Sequence, residues 1–134
     1  MRRLVTLALI AAAAGAAGCG NRDEQGAVRS TAARFYAAVA QKDGRAACAE
    51  LSQSTIQQLV SSEGTSCRKA VVGLKLHGGR PGSTTVYELN AAVQLAGGDR
   101  VFLSRDPDGW KVDAAGCSTQ GPPATHPFDC LLQD

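Results

Sequence analysis

Aromatic residues are scarce in this 134-residue chain: three Phe, two Tyr and one Trp make up 4% of it, with a single Met beside them. The length has room for one small domain, which excludes a multidomain enzyme. Charge of one sign is also missing. Lys plus Arg exceeds Asp plus Glu by 14 to 12, and Arg2 with Arg3 accounts for the difference. Without a basic stripe the chain lacks the electrostatic footprint of nucleic-acid binding, and no nucleic-acid partner is expected. There is no Cys-x-x-Cys pair, His-Glu-x-x-His helix, Gly-x-Ser-x-Gly elbow or phosphate loop. Zinc modules, zinc proteases, serine hydrolases of that type and nucleotide sites thus lose their usual sequence support, and neither a metal nor a cofactor is expected.

What the chain does have is five cysteines, an odd number in a short sequence. The N-terminus supplies the reason. Arg2 and Arg3 form a basic start, Leu4 to Ala14 is an uncharged stretch rich in Leu and Ala, and Ala16, Ala17 and Gly18 place small side chains before Cys19. The apolar stretch is shorter than the ~20 residues a membrane-spanning helix needs, so it reads as an export signal. Ala16-Ala17-Gly18-Cys19 resembles the lipobox of bacterial lipoproteins, with Ala where Leu is commoner at the first position. That resemblance implies a lipid (diacylglyceryl and palmitate) on Cys19 and cleavage in front of it. An ordinary secretory signal with a free Cys19 is the alternative. The same four residues recur as Ala114-Ala115-Gly116-Cys117, but without the basic and apolar run before them.

Two acyl chains hold a protein on a bilayer where one does so only marginally. The expected address is therefore the extracytoplasmic side of the cell membrane, with residues 1–18 as signal peptide, 19–26 as a polar tether and 27–134 as one domain. An exported chain meets an oxidising compartment, where four thiols allow three pairings. Cys48 with Cys67 and Cys117 with Cys130 are expected, because each pair closes a local loop worth roughly 3 kcal/mol in the chain-entropy model.

Within the domain, Val28, Ala32, Phe35, Tyr36 and Val39 recur at helical spacing, which predicts an amphipathic helix over about residues 24–42, stopping near Gly44. Shorter helices are expected from Arg45 to Leu51, from a Ser54 cap through Ile56, Leu59 and Val60, and from a Ser66 cap through Cys67, Ala70 and Val71. Past Gly78-Gly79-Arg80-Pro81-Gly82 the period becomes two. Tyr87, Leu89, Ala91, Val93 and Leu95 predict one long strand, followed by Arg100 to Arg105 and Trp110 to Asp113, joined at Gly97-Gly98-Asp99 and Asp106-Pro107-Asp108-Gly109. The expected fold class is α+β, with N-terminal helices packed on an antiparallel sheet and stapled by two disulfides.

Phe35-Tyr36, Ala-Ala-Cys-Ala-Glu-Leu at 46–51, Ser-Cys-Arg-Lys-Ala at 66–70, Val-Phe-Leu at 101–103, Gly-Trp-Lys-Val at 109–112 and Phe-Asp-Cys at 128–130 together give the chain its outline. Over about residues 27–132 it resembles small actinobacterial exported lipoproteins of uncharacterised role, which are similar to the nuclear-transport-factor and ketosteroid-isomerase fold. The resemblance implies a cone-like, strongly curved sheet around the helices, which in some members leaves a pocket between them, and a fourth strand near Val72 to His77. The isomerases of that fold use an interior carboxylate and an oxyanion donor. Asp113 or Glu88, with Tyr36, are the residues to inspect for such a cofactor-free enzyme, isomerase-like or hydrolase-like. The favoured expectation is a non-catalytic module that binds an extracytoplasmic protein or a small apolar ligand, with Tyr36, Tyr87 and Trp110 as candidate contacts. Phe35, Tyr36, Phe102 and Trp110 read otherwise as core. His77 and His126 read as solvated loop residues, and Asp106-Pro107-Asp108-Gly109 as a turn without the later ligands of a calcium loop.

Overall fold

A computed structural model describes residues 20–134; Cys19 and the signal segment lie outside the described residues. Four helices precede a five-stranded sheet: α1 Gly20–Ala40, α2 Gly44–Ala49, α3 Gln53–Glu63 and α4 Cys67–Gly73, then β1 Pro81–Tyr87, β2 Asn90–Leu95, β3 Arg100–Asp106, β4 Gly109–Ser118 and β5 Asp129–Leu132. The strands follow one another in the order β1-β2-β3-β4-β5 and every pair is antiparallel, an open meander.

The apolar stripe of α1 explains its place. Val28, Ala32 and Phe35 are fully buried, with Tyr36 and Val39 nearly so, and they lie on Ala91, Val93, Leu95, Val101, Leu103 and Val112 of the sheet. Leu51, Leu59 and Val71 bring the shorter helices into the same core. The helix begins at Gly20, ahead of the expected start, so residues read as a tether are helical. It ends before Gly44: Lys42 takes a left-handed φ of 59°, and Asp43 N–H bonds back to the Ala38 carbonyl at 2.9 Å. Asp43 then caps α2 by accepting from Ala46 N–H at 3.0 Å. Gly44 serves close packing instead, because a Cβ there would fall 2.1 Å from the Arg68 carbonyl oxygen. The Cys48–Cys67 disulfide ties α2 to α4 across the same contact.

Ser52, not Ser54, caps α3; its hydroxyl accepts from Thr55 N–H at 3.4 Å. The cap lies two residues earlier because the chain is already held there. Ser52 N–H donates to the Val112 carbonyl at 3.0 Å, and Val112 N–H to the Glu50 carbonyl at 2.8 Å. This parallel bridge, Leu51 to Val112, covers the edge of β4 that short β5 leaves unpaired. Thr55, fully buried, donates from Oγ1 to the Asp113 carbonyl at 2.9 Å and so satisfies its hydroxyl. Ser66 stands at the start of α4 as expected, although its side chain makes no cap bond.

The long strand expected from Tyr87 to Leu95 is a hairpin. Tyr87 pairs with Asn90 across a two-residue connection, with Glu88 at φ 52°. The alternation of Tyr87 and Leu89 with the core residues of β2 is therefore coincidental, and both are exposed. The fourth strand lies at Pro81–Tyr87 rather than at Val72 to His77, part of which is the end of α4. Pro81 is accommodated because β1 is an edge strand. The expected turns at Gly97-Gly98-Asp99 and Pro107-Asp108 are present, with Gly98 N–H donating to the Leu95 carbonyl at 3.1 Å and Asp106 opposite Gly109. Beyond the expected strands, the Pro-rich tail returns as β5. Cys130 lies directly opposite Cys117 in the ladder, and the two are disulfide-bonded. Both expected disulfides are thus in place.

Candidate functional site

The three residues read as ligand contacts are dispersed. Tyr36 sits on α1 with its ring edge-on to Phe35 at 5.2 Å, and its hydroxyl accepts from Gly116 N–H at 3.2 Å. Gly116 adopts φ 65° in β4, and a Cβ there would come within 2.8 Å of Leu76. The tyrosine therefore satisfies a buried backbone donor at an irregular point of the strand. Burial pushes its pKa up to about 12, with the Gly116 N–H acting against that shift.

Trp110 lies at the other end of α1. Its Nε1–H donates to Glu24 Oε2 at 2.7 Å, and the Arg105 guanidinium sits 5.8 Å from the ring centroid while pairing with the same carboxylate. Those bonds, from Arg105 first and Trp110 next, hold the Glu24 pKa below its ordinary value. Tyr87 is 72% exposed at the end of β1. Of the acids named for an enzyme, Asp113 is half-buried in β4, with its backbone carbonyl accepting from Thr55 Oγ1. Glu88 is in the exposed β1–β2 turn, and the phenol's hydrogen bond is to Gly116 backbone.

Open clefts mark the described surface. One, about 360 Å³, lies beside Trp110 and is lined by Glu24, Thr31, Arg34, Glu50, Arg105 and Lys111. Its cations are engaged internally. Arg34 makes two bonds to Glu50, at 2.8 and 3.1 Å, and a third to Thr31 at 3.1 Å. The Glu50 carboxylate raises the Arg34 pKa. Lys111 Nζ donates to the Ala49 carbonyl at 2.8 Å. An incoming anion would compete with Glu24 and Glu50 for the same donors. A second cleft, about 380 Å³, runs along Lys75, His77, Asp99, Ser118 and Asp129. Here His77 contributes its backbone N–H to Asp99 Oδ2 at 3.1 Å, while the His126 ring lies 2.9 Å from Thr125 Oγ1. Among the described residues no three His, Cys, Asp or Glu are grouped as a metal site.

The third cleft is apolar. It is a shallow groove of about 220 Å³ on the sheet face turned away from the helices, lined by Thr85, Tyr87, Asn90, Ala92 and Phe102. Strand register explains the set: Thr85 pairs with Ala92, Ala92 with Phe102, and Tyr87 with Asn90. Since neighbours along a strand face opposite ways, Phe102 points outward while Val101 and Leu103 enter the core. Its assignment to the core is thereby corrected. Beyond Phe102, the Phe128 ring from the tail meets it edge-on at 5.2 Å, and Arg100 lies 5.0 Å from that ring. The tail covers one side of Phe102 and leaves the groove open on the other. The signal that could have found this surface was parity, because Phe102 stands out of phase with two core residues. Neither a family model, a characterised protein nor a solved structure matches the chain.

Proposed function

We propose that the chain is a lipid-anchored lipoprotein on the extracytoplasmic side of the membrane, a non-catalytic module whose outer sheet face binds a partner protein or a small apolar ligand. The apolar groove beside Phe102 carries the binding part of this reading. A groove lined by Tyr, Phe, Ala and Thr, with Asn90 at its rim, offers apolar contact together with a few polar groups that orient an occupant. The anchor rests on the basic start, the short apolar stretch and Ala16-Ala17-Gly18-Cys19. Two disulfides use four of the five cysteines and suit an oxidising compartment, leaving Cys19 as the fifth. Among the described residues no helix is long and apolar enough to cross a membrane; in this reading the lipid on Cys19 supplies the attachment. The resemblance to small actinobacterial lipoproteins belongs to the same reading, with the sheet curving cone-like around α1.

A photocrosslinking residue at exposed Thr85, compared with one at exposed Arg45 on the helical side, tests the binding surface in intact cells. A discrete protein or small-molecule adduct from position 85 and none from position 45 is expected. No adduct from 85, or the same adducts from both, would overturn it.

A further inference from the structure

The N-terminus of α1 and the β1–β2 hairpin lie at one end of the molecule. Glu24 is one helical turn from Gly20, a rise of about 6 Å, and it accepts from Trp110 and Arg105. Arg105 N–H in turn donates to the Leu89 carbonyl at 2.8 Å, which joins the hairpin tip to the same cluster. Farther along, Arg29 Nε donates to Thr84 Oγ1 at 2.9 Å, so α1 runs toward its start as β1 runs toward its tip. At that tip stand two of the most exposed large apolar side chains of the described surface, Tyr87 at 72% and Leu89 at 63%. Leu89 lies in the two-residue turn and Tyr87 at the strand end beside it, and none of the described residues covers them.

Resting on the lipid-anchor reading, we infer that this end faces the bilayer and that Tyr87 and Leu89 dip into its interface. Helix α1 starts at the residue after Cys19, so an acylated Cys19 would hold the hairpin end at the lipid surface without an intervening flexible linker. An amphipathic Tyr is favoured at the headgroup level, and Leu just below it gains from the acyl boundary. Charge is not the driving force. Arg22, Arg105 and Lys111 at this end are accompanied by Asp23, Glu24, Glu88, Asp106 and Asp108. The groove at Tyr87 and Phe102 then opens beside the membrane, within reach of an apolar molecule leaving it.

The test uses the full lipidated protein, purified from membranes and placed on vesicles of phosphatidylethanolamine and phosphatidylglycerol carrying a nitroxide high on the acyl chain. An environment-sensitive fluorophore is attached to Glu88→Cys at the tip, or to Ala96→Cys near the β2–β3 turn at the opposite end. Vesicle flotation is scored in parallel. Emission from position 88 is expected to shift to the blue and be quenched by the nitroxide, and emission from position 96 to stay that of water. Adding Tyr87→Ser with Leu89→Ser is expected to abolish quenching at 88 while the protein still floats. A floating protein whose position 88 stays in water, or whose positions 88 and 96 are quenched alike, overturns the inference and leaves the anchor standing. Unfloated protein overturns both.

Discussion

The bond between Tyr36 and Gly116 gives a prediction that can be worked through from structure to assay. Replacing Tyr36 with Phe removes one oxygen and leaves the ring in place, 6% exposed against the core. Gly116 N–H then loses its acceptor at a position where β4 is buried and irregular. An unsatisfied buried donor costs about 1–3 kcal/mol. At about 4 °C per kcal/mol for a domain of this size, melting falls by roughly 4–12 °C. A second signature separates loss of this oxygen from general loosening. The pKa of Tyr36 in the folded state, about 12, lies above its unfolded value near 10. The folded state therefore keeps its proton longer, so this contribution is complete below pH 10 and is lost as pH rises towards 12. A shift of that size amounts to about 2–3 kcal/mol, taken as an order of magnitude. Urea unfolding followed by Trp110 fluorescence between pH 8 and 12, for wild type and Tyr36→Phe, reads both effects. The wild type should be the more stable at pH 8, and the gap should close as pH rises. Equal stability at pH 8 would refute the assignment of Tyr36 as the acceptor for a buried N–H, and a gap that does not change with pH would refute the burial of its hydroxyl that raises the pKa.

Three further outcomes follow from the core, the staples and the first turn of α1. Phe35→Ala empties a fully buried site under the sheet and should cost about 3–5 kcal/mol in urea unfolding, the range for a deleted core aromatic. Removing Cys117 and Cys130 together as Ala should cost about 3 kcal/mol, with hydrogen exchange rising first along β5, which holds only three residue pairs with β4. Glu24 has its folded-state pKa lowered, so the docking of the first turn of α1 is fully supported above the ordinary carboxylate range and is lost as pH falls through the lowered value. Trp110 emission should change over that acid window in the wild type and not in Glu24→Gln.

The parts of the fold that were legible in the sequence are those where one period runs unbroken into one environment. Val28 to Val39 reads as a buried stripe because the sheet takes up that whole face, and the two cysteine pairs read correctly because each closes a local loop. Failures came where a local pattern crossed a turn. Tyr87 and Leu89 keep the parity of Ala91 and Val93, yet Glu88 adopts a positive φ that favours glycine, and no glycine announces it. Similarly, β5 has no alternation of its own, since it is a strand by virtue of pairing with β4 and the bridge to Cys117. Ser52 displaced Ser54 as a cap because a hydrogen bond to Val112, sixty residues away along the chain, sets where α3 begins. The candidate contacts were harder still. Aromatic identity distinguishes neither the faces of a sheet nor the ends of a helix, so the sequence alone does not separate Tyr36, Tyr87 and Trp110, which serve a backbone bond, an exposed tip and a carboxylate pocket. Phe102, in the groove, looks like core by residue type, while its parity against Val101 and Leu103 points outward.

The central claim is that Cys19 carries the lipid that sets the address of the domain. Cells fed an alkyne-tagged palmitate, expressing either the full chain or Cys19→Ala, give the direct measurement. The account predicts label on the wild type alone, with the intact mass of a chain beginning at a modified Cys19 and recovery in the membrane fraction. Unlabelled wild-type protein, or equal labelling of Cys19→Ala, would contradict it.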